Sequence, residues 1–145
     1  MPGEHPHAQL VRDFHDQQNL FYAGGEQTKV AAMLTEDVAW HVPGESEISN
    51  VYRGRDDVLR HFARRRELTN ATFRITVHGV LADDERAVIL ASGECSRGGR
   101  RDRWRTVSVF RIERDRIAEC WVMPYDQALF DSIWERWSPT RISYG

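Results

Sequence analysis

The sequence predicts an α+β fold, in which helices pack on one face of a curved, mainly antiparallel sheet. Two patterns predict it. Hydrophobic residues recur every three to four positions in the first part of the chain and again near its end, and between these parts they alternate with polar residues. A length of 145 residues, with 41% hydrophobic side chains, suits one domain with a substantial core.

Three helices are predicted in the N-terminal part. The first spans residues 7–23 and ends at the glycine pair 24–25, and a short second helix follows at about residues 27–34. The third spans about residues 56–67. It has aspartates in its first turn and the arginines 64–66 near its last turn, which is the arrangement that the helix dipole favours.

Five strands are predicted, one before the third helix and four after it. The first covers residues 37–42, and a loop follows it to residue 54. Between residues 73 and 123 the hydrophobic period changes to two, and short turns divide this segment into a four-stranded antiparallel meander. A closing helix with an apolar side is predicted at residues 126–137.

These elements predict a single domain over residues 8–137, with a flexible N-terminus at residues 1–7 and a C-terminal tail at residues 138–145. No apolar run approaches the roughly 18 residues that a membrane span needs, and the N-terminus lacks the features of a signal peptide. We therefore expect a soluble, cytoplasmic protein. The preference for arginine over lysine hints at a GC-rich bacterial genome.

Charge and cysteine content argue against several classes of protein. A formal net charge of −2 makes a nucleic-acid partner unlikely, because such proteins usually carry net positive charge. Two cysteines are too few for a disulfide scaffold or a cysteine-rich metal site. No glycine-rich phosphate loop opens a helix. No metal or organic cofactor is predicted, and His5 and His7 are interpreted as part of a frayed end.

Three stretches carry a resemblance to a known family. They are Asp37–Gly44 with the following Tyr52–Asp57, the hairpin around Gly98–Gly99, and Arg116–Trp121 with the following Pro124–Gln127. In this order they resemble the nuclear transport factor 2-like superfamily, which includes the ketosteroid isomerases, and within it the SnoaL-like branch. The resemblance implies a cone-shaped α+β barrel with an apolar pocket between helices and sheet, and usually a dimer through the open sheet face. Such folds include polyketide cyclases, isomerases, dehydratases and members without known activity, so only the site can indicate a function.

Asp126 and His41 are the candidate catalytic residues. By the resemblance, Asp126 matches the carboxylate that acts as acid and base in SnoaL-like cyclases, and His41 falls where ketosteroid isomerases place their base. A carboxylate at the mouth of an apolar pocket loses solvation, which raises its pKa, and histidine titrates near neutral pH. The pair would suit proton transfer next to a carbonyl. Alternatively, Asp126 caps the C-terminal helix and His41 is a satisfied core histidine.

The resemblance also implies that aromatic side chains line the pocket and bind a small, flat, apolar ligand with one or two polar handles. The candidates are Trp40, Tyr52, Phe62, Trp104, Trp121 and Tyr22, most of which also fit the core. On the third strand of the meander, spacing leaves open which face lines the pocket. One face carries Trp104, Thr106, Ser108 and Phe110, and the other carries Arg105, Val107, Val109 and Arg111.

The leading hypothesis is a small-molecule pocket protein, with acid/base chemistry of the cofactor-independent cyclase, isomerase or dehydratase type. The alternative is a non-catalytic ligand-binding or dimerisation module of the same fold. We expect a homodimer through the sheet face, since that face would otherwise expose valines to water. Arginines cluster at residues 97–105 and 64–66, and both clusters are interpreted as solvated surface. Nucleic-acid binding through them is the weakest hypothesis.

Overall fold

In the residues that the computed structural model describes, 4–97 and 99–135, a six-stranded sheet carries four helices. In chain order the elements are α1 (Pro6–Tyr22), α2 (Thr28–Ala32), β1 (Leu34–Val42), β2 (Asn50–Arg53), α3 (Arg55–Leu68), β3 (Arg74–Ala82), β4 (Arg86–Arg97), β5 (Arg100–Glu113), β6 (Arg116–Pro124) and α4 (Gln127–Glu135).

The sheet runs in the order β2–β1–β6–β5–β4–β3, and in the described residues it is curved and open. β1 is parallel to β6, and the other neighbouring strands are antiparallel. This arrangement confirms the predicted α+β fold, with three N-terminal helices and a short C-terminal helix. Because β1 lies next to β6, the N-terminal strand and the last strand of the meander meet in the middle of the sheet.

β2 lies in the segment that was predicted to be a loop. Its four residues pair with the end of β1, where Tyr52 lies opposite Trp40. β2 is short and mostly exposed, so it lacks the alternation of buried and exposed side chains that indicated the other strands.

The helix boundaries lie within a few residues of the predicted ones. α1 begins at Pro6, and proline is favoured there because its ring presets the backbone angle of a first helical turn. In the described residues no helix is both long enough and apolar enough to cross a membrane. Residues 1–3 and 136–145 lie outside the described part of the chain, including the predicted tail and the end of the predicted closing helix.

The first described residues contact the turn between β3 and β4. His5 Nε2 lies 2.8 Å from the Asp84 carboxylate, and His7 Nδ1 donates to the Asp83 carbonyl oxygen at 2.9 Å. The two histidines that were interpreted as part of a frayed end therefore join the start of α1 to the tip of a hairpin.

The core lies between the inner face of the sheet and the helices α1 and α3. The ring of Phe14 on α1 lies 5.9–6.3 Å from the rings of Trp40, Phe62 and Phe110, which belong to β1, α3 and β5. These four side chains are at most 3% exposed, so one aromatic cluster joins both layers.

Burial along β5 answers the question that spacing left open. Every second residue from Asp102 to Ile112 is buried, so this set faces the helices. The set with Val107 and Val109 therefore lies on the outer face of the sheet.

Candidate small-molecule site

An interior cavity of about 40 Å³ lies between α1, α3 and the inner face of the sheet. Aromatic and aliphatic side chains make up most of its wall, and Phe130 of α4 also lines it. Polar side chains line it from both layers, namely His15, Gln18 and Arg65 from the helices and Ser92, Thr106 and Ser108 from the strands. Typical ligand pockets measure about 300–1,000 Å³, so this cavity is large enough for only a few atoms.

α1 brings two polar residues into the buried layer. Val11, His15, Gln18 and Tyr22 are buried and follow the three- and four-residue spacing of one helix face. Gln18 is fully buried, and neither of its amide atoms makes a hydrogen bond of normal geometry in the described chain, although the amide lies near the Tyr22 hydroxyl. Such a group destabilises a fold by about 1–3 kcal/mol unless another molecule supplies its partners.

His15 is buried and neutral. Its Nδ1 donates to the Val11 carbonyl oxygen at 2.7 Å, and because a carbonyl only accepts, Nε2 is the acceptor nitrogen of the neutral ring. Burial lowers the pKa of His15 to about 4, and the positive charge of Arg65 acts in the same direction. At pH 7 the ring therefore carries a lone pair rather than a charge.

Arg65 brings a positive charge to the cavity. It lies on the buried side of α3 and is 6% exposed. Its Nη2 donates to the Tyr22 hydroxyl at 2.5 Å, and its guanidinium carbon lies 5.1–5.4 Å from the ring centroids of Tyr22, Phe62 and Phe73. Within the described residues, its Nε has no hydrogen-bond partner and no carboxylate forms an ion pair with it.

Three titratable neighbours of Arg65 within the described residues supply no negative charge. Burial raises the pKa of Tyr22 to about 12, and it also raises the pKa of the Cys120 thiol well above its ordinary value. Burial lowers the pKa of His61 well below its ordinary value, and the charge of Arg65 adds to this. All three groups are uncharged at pH 7, so they leave the charge of Arg65 unbalanced.

The sheet side of the cavity carries a further unpaired donor. Trp40 of β1 is 3% exposed and lines the cavity, and its indole Nε1 has no hydrogen-bond partner within the described chain. The cavity thus presents polar groups inside an aromatic shell. Among the described residues, no three His, Cys, Asp or Glu side chains are grouped so as to hold a metal ion.

The structure does not bring Asp126 and His41 together in this cavity. Asp126 is exposed, and its side chain accepts a hydrogen bond from the Leu129 N–H at 3.0 Å, as a cap of α4 does. His41 follows the inward-facing Trp40 on β1, so it lies on the outer face, where its Nε2 is 2.6 Å from the Glu119 carboxylate. The expectation that Asp126 and His41 share this pocket is therefore corrected, and a catalytic role for the pair stays a prediction.

The six predicted ligand-binding residues fall into three groups. Trp40 and Trp104 line the interior cavity. Tyr22 and Phe62 are fully buried and contact the guanidinium of Arg65. Tyr52 stacks on His61 with ring centroids 4.0 Å apart, and Trp121 stacks on His41 at 5.2 Å on the outer face.

A comparison with protein families decides the assignment. The SnoaL-like domain family matches residues 11–120, which is most of the chain. The chain belongs to the SnoaL-like domain family. This result confirms the predicted SnoaL-like branch of the nuclear transport factor 2-like superfamily.

Solved structures share the SnoaL-like fold of this chain over almost their whole length. Bal32a, from a soil-derived mobile gene cassette, is 24% identical with a TM-score of 0.77 and aligns over 88% of this chain and 98% of its own. An NTF2-like protein from Anabaena variabilis is 19% identical with a TM-score of 0.73, over 87% and 96%. TerC, co-crystallised with polyporic acid, is 13% identical with a TM-score of 0.71, over 87% and 98%. These identities show the fold alone, and no curated protein matches the sequence.

Sequence reasoning missed His15, Gln18 and Arg65 as site residues of this SnoaL-like domain. Arg65 was included in an arginine cluster that was interpreted as solvated surface. Its neighbour Arg64 does lie at the surface, where it donates a hydrogen bond to Glu47. The signal was the helical period, because Arg65 follows the buried Phe62 by three residues. The same period places His15 and Gln18 between buried residues of α1.

The outer face of the sheet carries a separate apolar groove of about 470 Å³. Its lining residues are His41, Val42, Pro43, Val51, Val109, Trp121, Val122 and Met123. Beside it, Glu119 accepts hydrogen bonds from His41 Nε2 at 2.6 Å and from Arg111 Nε at 3.3 Å. Arg111 Nη1 also donates to Glu113 at 2.6 Å, so the charged groups here are paired with one another.

Proposed function

We propose that this SnoaL-like protein binds a small, largely apolar molecule in the interior cavity. One observation carries the proposal: Gln18, Trp40 and Arg65 all line this cavity, and each buries a polar atom that has no hydrogen bond of normal geometry in the described chain. Because each such atom destabilises the fold by about 1–3 kcal/mol, three of these residues around one cavity indicate partners supplied from outside the chain. The aromatic walls suit a flat apolar body with a polar end.

A whole ligand requires that the wall of the cavity moves. A volume of about 40 Å³ admits the polar end of a ligand but not a ring. Phe130 and Trp134, both on α4, pack against this wall. Gln127 and Asp131 join α4 to the loop between β1 and β2 through hydrogen bonds of 3.3 and 3.2 Å, and Phe130 and Trp134 are buried, so we infer that a shift of α4 that admits a ligand also moves these two rings.

Two substitutions on β5 test the binding site. Ser108 faces the cavity and its neighbour Val107 faces outward, so Ser108→Leu fills the cavity while Val107→Leu adds one carbon elsewhere. Thermal shift and tryptophan fluorescence would be measured with a panel of small aromatic acids and carbonyl compounds. We expect ligands to raise Tm in the wild type and in Val107→Leu, but not in Ser108→Leu, with folding of each variant checked by circular dichroism. Equal binding by Ser108→Leu would place the ligand elsewhere.

Proton transfer next to a carbonyl is a second candidate function, favoured by the position of His15. Its Nε2 is the acceptor nitrogen of the neutral ring, a weak base because its pKa is about 4, and His15 lines the same cavity as the cationic Arg65. In such a step the C–H proton next to the carbonyl moves to Nε2, and the electron pair moves to the carbonyl oxygen as an enolate, which Arg65 stabilises. The enolate then regains a proton from His15.

Deuterium exchange separates this assignment from the sequence-based one. NMR would follow solvent deuterium entering the position next to the carbonyl of a bound ligand, for wild type, His15→Gln, His41→Gln and Asp126→Asn. Since a general base contributes about 10²–10⁴-fold, we expect a loss of at least about 100-fold in His15→Gln alone. A comparable loss in Asp126→Asn or His41→Gln would return the role to the predicted pair.

The outer face of the sheet supports self-association as a further part of this proposal. Met123 and Val51 line the apolar groove and are 43% and 39% exposed, and Leu90, opposite Val107 on the same face, is 45% exposed; such patches usually meet a partner. We expect a homodimer by sedimentation equilibrium. Met123→Glu should dissociate it, whereas Leu20→Glu, at a 60% exposed position on α1, should not. A monomeric wild type at micromolar concentration would contradict this part.

A further inference from the structure

The two buried charged residues of the described chain differ in their partners. Asp102 is 8% exposed and forms an ion pair with Arg100 at 3.5 Å. Arg65 is 6% exposed and has no carboxylate partner within the described residues. A charge removed from water is retained in a fold when an opposite charge or a bound ligand compensates it. The missing partner of Arg65 therefore needs an explanation that Asp102 does not.

The aromatic shell around Arg65 explains its position but not its donors. The rings of Tyr22, Phe62 and Phe73 lie within the range of cation–π interactions. A guanidinium has five N–H donors in a fixed fork, and in the described chain one hydrogen bond is formed, from Nη2 to Tyr22. Nε is buried and unpaired, and Arg65 lines the cavity. Donors of this fork geometry match the two oxygens of a carboxylate or a similar anion.

Gln18 adds a second donor to the same place. It is fully buried, its amide lacks partners of normal geometry, and it lines the cavity with Arg65. The wall of the cavity also includes the aromatic side chains of Trp40, Trp104 and Phe110. The cavity thus combines a cation, an amide and flat apolar surfaces.

We infer that the ligand of this cavity is an organic oxyanion on a flat apolar body, and that Arg65, assisted by Gln18, binds the anionic oxygen. This inference rests on the proposed binding function. A carboxylate and the phenolate of an acidic phenol share this chemistry, and they are separated by the experiment below.

Matched pairs of charged and neutral compounds test the inference. Dissociation constants would be measured by isothermal titration calorimetry at pH 8 for benzoate and benzamide, 2-naphthoate and 2-naphthamide, and an acidic nitrophenol and its methyl ether. We expect at least one anion of this set to bind tenfold or more tightly than its neutral partner. Binding by carboxylates or by the phenolate then identifies which oxyanion the cavity takes.

Two arginine variants of α3 localise the effect. Arg65→Met should weaken the anion at least tenfold and remove its advantage over the neutral partner. Arg60→Met removes the same charge from an exposed position of the same helix and should leave both constants unchanged. If Arg65→Met does not fold, Arg65→Gln replaces it, and the ratio of constants in the wild type still decides the sign of the preference.

Other results would overturn the inference in distinguishable ways. Equal binding of acids and amides, lost in Ser108→Leu, would leave the binding function standing and remove the oxyanion. Anion binding that survives in Arg65→Met would belong to surface arginines. Absence of binding by every compound up to 10 mM, a threshold about tenfold weaker than a 1 mM ligand, would contradict both proposals.

Discussion

The two faces of the sheet hold their charged groups in opposite ways. On the outer face, Arg111 pairs with Glu113 and Glu119, and Glu119 also contacts His41. On the inner face, Arg65 lies in an aromatic shell without a carboxylate partner in the described chain. Pairs near water contribute little to stability, whereas a buried unpaired charge destabilises the fold. The paired network therefore fits a structural surface, while the cation without a partner in the described chain indicates a ligand site.

The largest expected effect separates the two faces by packing. Phe110 is fully buried beside Phe14, His15 and Trp40, whereas its neighbour Val109 faces outward. We expect Phe110→Ala to lower the free energy of unfolding by about 3–5 kcal/mol and Val109→Ala by less than about 1 kcal/mol. Urea denaturation measures both. Similar losses at the two positions would contradict the assignment of inner and outer faces.

Lowering the pH should destabilise the folded protein through the buried His15. Its pKa is lowered from 6.5 to about 4 in the folded chain, so the unfolded chain binds more protons between these values. The stability it contributes is complete above pH 6.5 and is lost as pH falls toward 4. For this group we expect a loss of about 2 kcal/mol between pH 7 and pH 5, and His61 adds to it in the same direction. Urea denaturation at both pH values should show a smaller loss in His15→Gln, and an unchanged loss would argue against a neutral buried His15.

A smaller effect is expected at Asp126, which lies outside the cavity. Its side chain bonds the Leu129 N–H at the start of α4, so Asp126→Ala should lower the free energy of unfolding by about 1 kcal/mol. Asp126→Asn keeps a capping oxygen and should change stability by less than about 0.5 kcal/mol. Ligand affinity measured beside stability separates a cap from a binding residue, because a tenfold loss of affinity in Asp126→Asn would bring this residue back into the site.

The smallest effect is expected in the outer network. Glu113 is 57% exposed in its side chain and pairs with the 44% exposed Arg111, so solvent screens this pair. Glu113→Gln should change the free energy of unfolding by less than about 0.5 kcal/mol, as measured by urea denaturation in low salt. A loss above 1 kcal/mol would show that the outer network stabilises the fold in the way that core packing does.

The fold could be predicted from the sequence because its periods are regular. The meander strands are nine to fourteen residues long and alternate over much of their length, most regularly in β5, and α1 and α3 keep a buried face. β2 was missed because four mostly exposed residues carry no period. Its partner gives it structure, and pairing across a sheet is not visible in a local pattern.

The candidate site was harder to predict, because a charged residue is normally expected at the surface and Arg65 is buried. Arg65 stands in a run of three arginines, and composition suggested a solvated surface where the helical period placed it inside. The alternation of side chains along β1 also argued against the predicted site, since Trp40 and His41 are neighbours and point to opposite faces of the sheet. The two could not both line one pocket. The alternation along β1 and the helical period of α3 together identify the inward-facing residues. No local sequence pattern shows which buried groups lack hydrogen-bond partners.

The free energy of unfolding of Arg65→Met is the most direct test of Arg65 as a ligand-binding residue, because it needs no ligand. If Arg65 is present for a ligand rather than for the fold, relief of its buried charge should offset the lost hydrogen bond to Tyr22, so stability should change by less than about 2 kcal/mol. Urea denaturation at pH 7 of wild type and Arg65→Met gives the answer. A loss of 2 kcal/mol or more would show that Arg65 is an ordinary structural residue of the core, and it would contradict the account.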